Sequence, residues 1–366
     1  MSPSISCSTA LEALRRGEQF PSAVIRELGE KHPDEFFRLI IEPLADSFDP
    51  AQAAAYEQLM TAWIPSTLRP RPLLPERVDT VYVLSRVTLG ADIKITSIIL
   101  DAMKRRFPDA QIVFVANRKS GELFADDPRI GQLQADYPRS GPVSHRIEFA
   151  AELRGKLEGP HPIVIDPDSR MTQLGLIPLC EPKSYFHFPS RTASDARNLS
   201  DLTKSWLMRT FGASGQAYIA PQRVRLDDPS PRAAVSLGTG GNDTKRISAE
   251  FETGLVRDLA TRYETLWMDR GAGGEEATRV TAAAEGSGAL DRIRYWEGSF
   301  AGFASIIRQS DFYAGYDSAG QHAAAACGVR LASYFNGATS KRFEERWTPV
   351  PAMAPDVLTL CHEPAN

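Results

Sequence analysis

Apolar residues recur at helical spacing through residues 9–63, as in Phe36, Phe37, Leu39, Ile40, Ile41 and Leu44, and again over 51–63 behind the pair Asp49-Pro50. No strand signal interrupts them, so this part of the chain predicts a small helical appendage. The stretch 64–75 then carries four prolines, which predicts a linker. From Val78 onward the pattern changes to short β-branched runs alternating with helical segments. Residues 81–84, 112–115, 162–165 and 184–188 predict strands, with helices near 92–107 and 196–211. A second series follows at 233–237, 265–268, 292–295, 312–315 and 330–334. Such alternation predicts an α/β fold of mainly parallel sheets covered on both faces. Two Rossmann-like halves follow, joined by the proline- and aspartate-rich stretch around 213–231. Ligands of such sheets bind beyond the carboxyl ends of the strands, which for two facing halves is a cleft.

Composition narrows the class. A chain of 366 residues, 42% hydrophobic and 24% charged, is long enough for two globular domains and is not disordered. A net charge of -4 gives no global attraction to nucleic acid, and none is expected as a partner. The run Lys104-Arg105-Arg106 reads as the solvated face of a helix. Cys7, Cys180, Cys327 and Cys361 are far apart and form no CxxC pair, so neither a disulfide framework nor a zinc site is expected. No apolar run approaches the length of a membrane span, and the first residues lack a basic region followed by an apolar one. A reduced, cytoplasmic protein is expected, with peripheral contact to the inner face of a membrane left open.

Candidate chemistry sits where predicted strands end. Asp317, Ser318 and Gly320 form a polar turn that leads into the alanine-rich run 323–326, with His322 in its first turn. A helix N-terminus with free N–H groups beside hydroxyl and imidazole groups suits an anion such as a nucleotide diphosphate. Gly238, Gly240 and Gly241 precede Lys245 after the strand at 233–237; glycines allow close backbone approach to phosphate and the ammonium neutralises it. The same residues also serve bland turns. Glycines at 271, 273 and 274 lead to Glu275 and Glu276, either of which could accept two hydrogen bonds from a vicinal diol or simply favour a helix start. Asp92 follows the first strand and suits a general base or an N-cap. Asp166-Pro-Asp168 is formally a DxD pair, with Arg170 two residues on.

The segment from Asp317 to Gly328 resembles the nucleotide-sugar site of glycosyltransferase family 9, the ADP-heptose:lipopolysaccharide heptosyltransferases, with the pattern D-[ST]-G-x-x-H-x-A-x-A-x-G. Ala319 stands where that pattern has Gly, and since Ala cannot take positive φ cheaply an altered turn is expected. The resemblance covers about residues 78–350 and implies a GT-B architecture, with domains at 1–75 (helical appendage and linker), 76–212 (acceptor half) and 213–366 (donor half). It implies an enzyme, a glycosyltransferase that moves a heptose-like sugar with inversion, by direct displacement at the anomeric carbon and with Asp92 as general base. It also implies donor contacts from Gly240, Gly241, Lys245, Glu275 in preference to Glu276, Asp317, Ser318, Gly320 and His322. Arg86, Asp168 and Arg170 are the candidates to orient an acceptor. No metal or other cofactor is implied beyond a nucleotide-sugar co-substrate of the ADP-heptose kind, with a glycan, lipid-linked or protein acceptor. A catalytically silent sugar-nucleotide binder and a nucleotide-sugar epimerase are the alternatives.

Overall fold

The computed structural model describes residues 6–16, 18, 21–65, 72–192, 197–240, 242–271, 273–336, 341–349 and 357–361. Gly241 and residues 66–71 of the proline-rich stretch lie outside the described residues.

Strands that are apolar on both faces occupy the middle of two parallel sheets. β1 (Thr80–Leu84) is buried along its whole length. The first sheet runs β3 (Ile130–Gln134), β2 (Gln111–Ala116), β1, β4 (Pro162–Asp166), β5 (Tyr185–His187). The second runs β11 (Val357–Cys361), β10 (Arg330–Phe335), β9 (Phe312–Tyr316), β6 (Arg232–Ser236), β7 (Thr265–Asp269), β8 (Ile293–Trp296). β6 and β9 are buried beyond their first residues. Counted within its own half, each sheet has the order 3-2-1-4-5, and the second continues to a sixth strand. The order reverses between β1 and β4 and between β6 and β9, the two places where an open parallel sheet offers a crevice to ligands. β3 and β11 have no counterpart in the sequence expectation. In β3, Ile-Gly-Gln-Leu-Gln, only the first residue is buried, so the run lacks the apolar character of a central strand.

The chain folds as two compact units. One comprises Met1–Val87, Phe107–Asn117 and Gln132–Arg197; the other comprises Thr88–Arg106, Arg118–Gly131 and Asn198–Asn366. The first contains α1 (Cys7–Arg15), α2 (Ser22–Lys31), α3 (Pro33–Phe36), a π turn (Phe37–Ile41), α4 (Glu42–Ala45) and α5 (Pro50–Met60). The second contains α6 (Leu89–Ala91), a π turn (Asp92–Thr96), α7 (Ser97–Arg106) and α8 (Arg118–Gly121). α9 (Val143–Arg154) returns to the first unit. α10 (Leu199–Phe211), α11 (Ala249–Arg262), α12 (Gly274–Ser287), α13 (Phe300–Arg308), α14 (Ala319–Ala326) and α15 (Lys341–Trp347) complete the second.

The N-terminal helices share a core with the first unit. Leu28, Phe36, Ile40, Leu44, Tyr56 and Met60 pack in one cluster with Val143 of α9 and with Leu174, Leu176 and Ile177. Polar ties match this core. Glu30 accepts hydrogen bonds from the Ser144 hydroxyl at 2.7 Å and the Trp63 indole at 2.7 Å. Arg170 spans Glu42 at 2.8 Å and Asp46 at 2.9 Å. α5 begins where Asp49 accepts from the N–H groups of Ala51 and Gln52.

Candidate active site

The reversal point of the second sheet places the ends of β6 and β9 side by side. After β6, the Asn242 side chain caps a short 3₁₀ turn by accepting from the Thr244 N–H. That turn delivers Lys245, whose ammonium donates to the Asp317 carbonyl at 2.9 Å and to its carboxylate at 3.0 Å. The other carboxylate oxygen of Asp317 accepts from the Gln321 amide. Ser318, in extended conformation, stands at the N-cap position of α14 without a side-chain capping bond. Gly320 rests so closely on Tyr313 that a Cβ there would lie 2.2 Å from the tyrosine hydroxyl. Ala319 is the first residue of α14 and is not in the left-handed region, so replacing the Gly of the pattern strains nothing there. His322 is buried, and burial together with the charges of Lys94 and Lys245 drives its pKa well below the ordinary histidine value. It is therefore neutral at neutral pH. Gly240 sits in the same strand-end turn with φ +65.

β7 ends in a second turn. Gly271, Gly273 and Gly274 all have positive φ, which lets the chain fold back and open α12. Sequence reasoning preferred Glu275, but Glu275 points outward, its side chain 83% exposed and 3.9 Å from Arg279. Glu276 turns inward: a Cβ on Gly238 would lie 2.5 Å from its carboxylate and one on Gly271 2.8 Å. It thus lies between the turns after β6 and β7. Asp269, at the end of β7, is pushed up to about 6 by burial and by Glu276, against the lowering effect of the Gly271 N–H. A pocket opens beside it, lined by Arg270, Gly273, Thr278 and Glu297.

Residues 88–106 belong to this same unit. Asp92 is fully buried and opens a π turn, and its carboxylate accepts from the Thr96 hydroxyl at 3.0 Å. It caps no helix, because the preceding helix α6 starts at Leu89 and the Asp92 N–H already bonds the Thr88 carbonyl at 2.9 Å. Single π turns inside helices are frequent at functional sites. Gly90 brings this backbone against α14, where a Cβ would lie 3.1 Å from the His322 ring. Lys94 is 3% exposed and donates to the Thr348 carbonyl at 2.8 Å. Burial lowers its pKa to about 7 against the opposing pull of Asp201 and Asp317. Sequence reasoning did not single out Lys94. Its one signal was a lysine inside the apolar run Ile93-Lys94-Ile95.

No family model and no curated protein matches the chain. Solved structures do. A glycosyl transferase family 9 protein from Veillonella parvula superposes with a TM-score of 0.59 at 15% identity, covering 78% of this chain and 86% of its own. E. coli heptosyltransferase WaaC with ADP-2-deoxy-2-fluoro heptose gives 0.55 at 15%, covering 77% of this chain and 92% of its own. The same enzyme with ADP gives 0.53 at 14%, covering 78% and 93%. The fold is GT-B. At such identity the likeness speaks for the fold alone.

In the N-terminal half of the GT-B fold, Arg86 and Asp168 lie at the β1/β4 reversal and Arg170 follows. Arg86 is buried and donates to the Ser190 hydroxyl. The Asp168 carboxylate accepts from His187 at 2.8 Å, from the Ser190 hydroxyl at 3.1 Å and from the Arg191 N–H at 2.7 Å. Burial opposes its charge, but the His187 hydrogen bond and the Arg191 and Arg86 charges outweigh burial and hold it well below the carboxylate range. Asp166 is spent likewise on the Ser169 N–H at 2.6 Å and on the Thr172 and Tyr185 hydroxyls. The DxD pair therefore organises its own turn. Of the three acceptor candidates, Arg170 lines an open pocket and Arg86 serves the interior. Among the described residues no group of three or more His, Cys, Asp and Glu side chains gathers as a metal site, and no helix is long and apolar enough to cross a membrane.

Proposed function

We propose that the chain is a glycosyltransferase that moves a sugar from a nucleoside diphosphate sugar, of the ADP-heptose kind, to a hydroxyl group with inversion. The observation that carries this reading is the cluster at the β6/β9 reversal, where Lys245, Asp317 and His322 meet α14 and the segment bearing Asp92 and Lys94 packs on the same helix. The acceptor oxygen forms its bond to the anomeric carbon as the bond to the diphosphate oxygen breaks, and the hydroxyl proton passes to the Asp92 carboxylate. The charge growing on the diphosphate meets Lys245, Lys94 and the N–H groups that open α14. Glu276, with Asp269, suits the ribose diol, since ionised carboxylates accept hydrogen bonds from both hydroxyls. The resemblance in sequence and the ADP and ADP-heptose analogue bound in the WaaC structures support this choice of donor.

Calorimetry with ADP tests the donor half. Glu276→Gln should weaken ADP binding about tenfold or more and Glu275→Gln less than twofold, the loss of a charged hydrogen bond being worth roughly 1.5–3 kcal/mol. Asp92→Asn should retain ADP binding while losing turnover of ADP-heptose. Because fixed cations stand at the diphosphate, EDTA should leave turnover unchanged. Failure of wild-type protein to bind ADP or any other nucleoside diphosphate would overturn the reading.

A further inference from the structure

The first unit holds a pocket that the chemistry above does not use. One wall comes from the N-terminal helices, through Phe37 and Glu42 and through Tyr56 of α5; the other comes from Val87, Tyr137, Arg139, Arg146, Arg170 and the turn at Gln173 and Leu174. Three features set it apart from an ordinary packing gap. First, Val87, Gln173 and Leu174 all line it and all have left-handed backbone, with φ of 72, 50 and 59. Such a conformation costs a β-branched residue most, and strain of this kind clusters at binding sites. Second, Phe37 opens a π turn, as Asp92 does in the other unit. Third, polar side chains meet in it: the Tyr56 hydroxyl donates to Gln173 at 3.4 Å, and the Gln173 amide, anchored on the Arg170 carbonyl at 3.0 Å, reaches the Tyr137 hydroxyl at 3.3 Å.

The charge is unbalanced. Arg170 is matched by Glu42 and Asp46. Arg139 donates to the Val87 carbonyl, and Arg146 to the carbonyls of Gly141, Pro142 and Arg139. Neither meets a carboxylate at ion-pair distance among the described residues. Arg146 is 1% exposed, its guanidinium stacks on Phe37 at 3.4 Å, and its Nε is buried without a partner. A buried cation with an unused donor is costly unless something anionic completes it. The aromatic walls suit the C–H faces of a sugar ring, and the Tyr56, Tyr137 and Gln173 polar groups suit its hydroxyls.

We infer that this pocket binds a small anionic sugar, phosphorylated or carboxylated, and, resting on the transferase reading above, that this sugar is the acceptor. The N-terminal helices are then part of the substrate site.

Titration calorimetry on the full chain with glucose 6-phosphate, glucuronate and glucose tests it. The anions should bind at least tenfold more tightly than glucose, and Arg139→Gln should remove most of that preference while ADP binding stays as in wild type. Preference for the phosphate alone or the carboxylate alone names the anion. Anions bound no better than glucose, or a preference untouched by Arg139→Gln, would overturn the inference and leave the donor reading standing. Retained anion binding without ADP binding would do the reverse.

Discussion

Lys94 couples the charge of the candidate site to pH. Burial brings its pKa to about 7 in the native chain, below the value of about 10.4 that an unfolded lysine has. Between those values the unfolded chain holds a proton that the native one lacks. Stability therefore rises with pH across that window, and the destabilisation is complete below about pH 7. A bound diphosphate reverses the local balance by favouring the charged form. ADP binding at pH 8 should thus take up a proton, seen as a binding heat that depends on the buffer's ionisation heat, and affinity should fall as pH rises above about 7. In Lys94→Met the uptake should vanish; uptake unchanged in that variant would remove Lys94 from the site. At this scale the sequence pointed to Lys245, Asp317 and His322, which the structure gathers at one strand end, because turn chemistry after a strand is local. Which of Glu275 and Glu276 turns inward was not legible, since neighbours on a helix face about 100° apart and only the packed helix fixes the phase. The burial of Lys94 was equally invisible, being decided by what packs on Ile93 and Ile95.

Elements that carry the site are fastened by buried polar pairs. Glu252 of α11 is 1% exposed; it accepts from Arg246 Nε at 2.8 Å and from the Tyr316 hydroxyl at 3.0 Å, with a further bond from the Arg246 guanidinium. The pair ties the loop bearing Lys245 to the end of β9, one residue before Asp317. Arg246→Met leaves the buried carboxylate with Tyr316 alone and should cost roughly 3–5 kcal/mol, while Arg246→Met with Glu252→Leu should recover most of that. Urea unfolding of the three proteins checks it, and a single variant within about 1 kcal/mol of wild type would show that water reaches Glu252. The strands that frame this region were readable because β6 and β9 are apolar on both faces. α9 was not, because its buried face mixes Val143, Ala150 and Leu153 with Arg146 and so shows no clean stripe.

At the scale of the whole chain, two repeats of the same strand order were legible from the alternation of strands and helices, but the membership of the N-terminal helices was not. Periodicity marks an apolar face without saying what covers it. Here the covering surface is supplied by Val143, Ile147, Leu174, Leu176 and Ile177, far away in sequence. Phe36, Ile40 and Met60 are 0% exposed in this cluster, and burying each such side chain is worth about 1.5–3 kcal/mol. Removing the helices would also strip Arg170 of Glu42 and Asp46, Arg191 of Asp46 at 3.2 Å, and Ser144 of Glu30. A chain beginning at residue 72 should therefore lose the first unit's cooperative melting transition and bind hydrophobic dyes. Phe36→Ala in the full chain, a smaller insult, should cost about 3–5 kcal/mol in the same transition. An appendage that merely rests on the surface would behave otherwise: the shortened chain would melt as the full one does, and Phe36→Ala would leave anion binding in the pocket beside Phe37 unchanged.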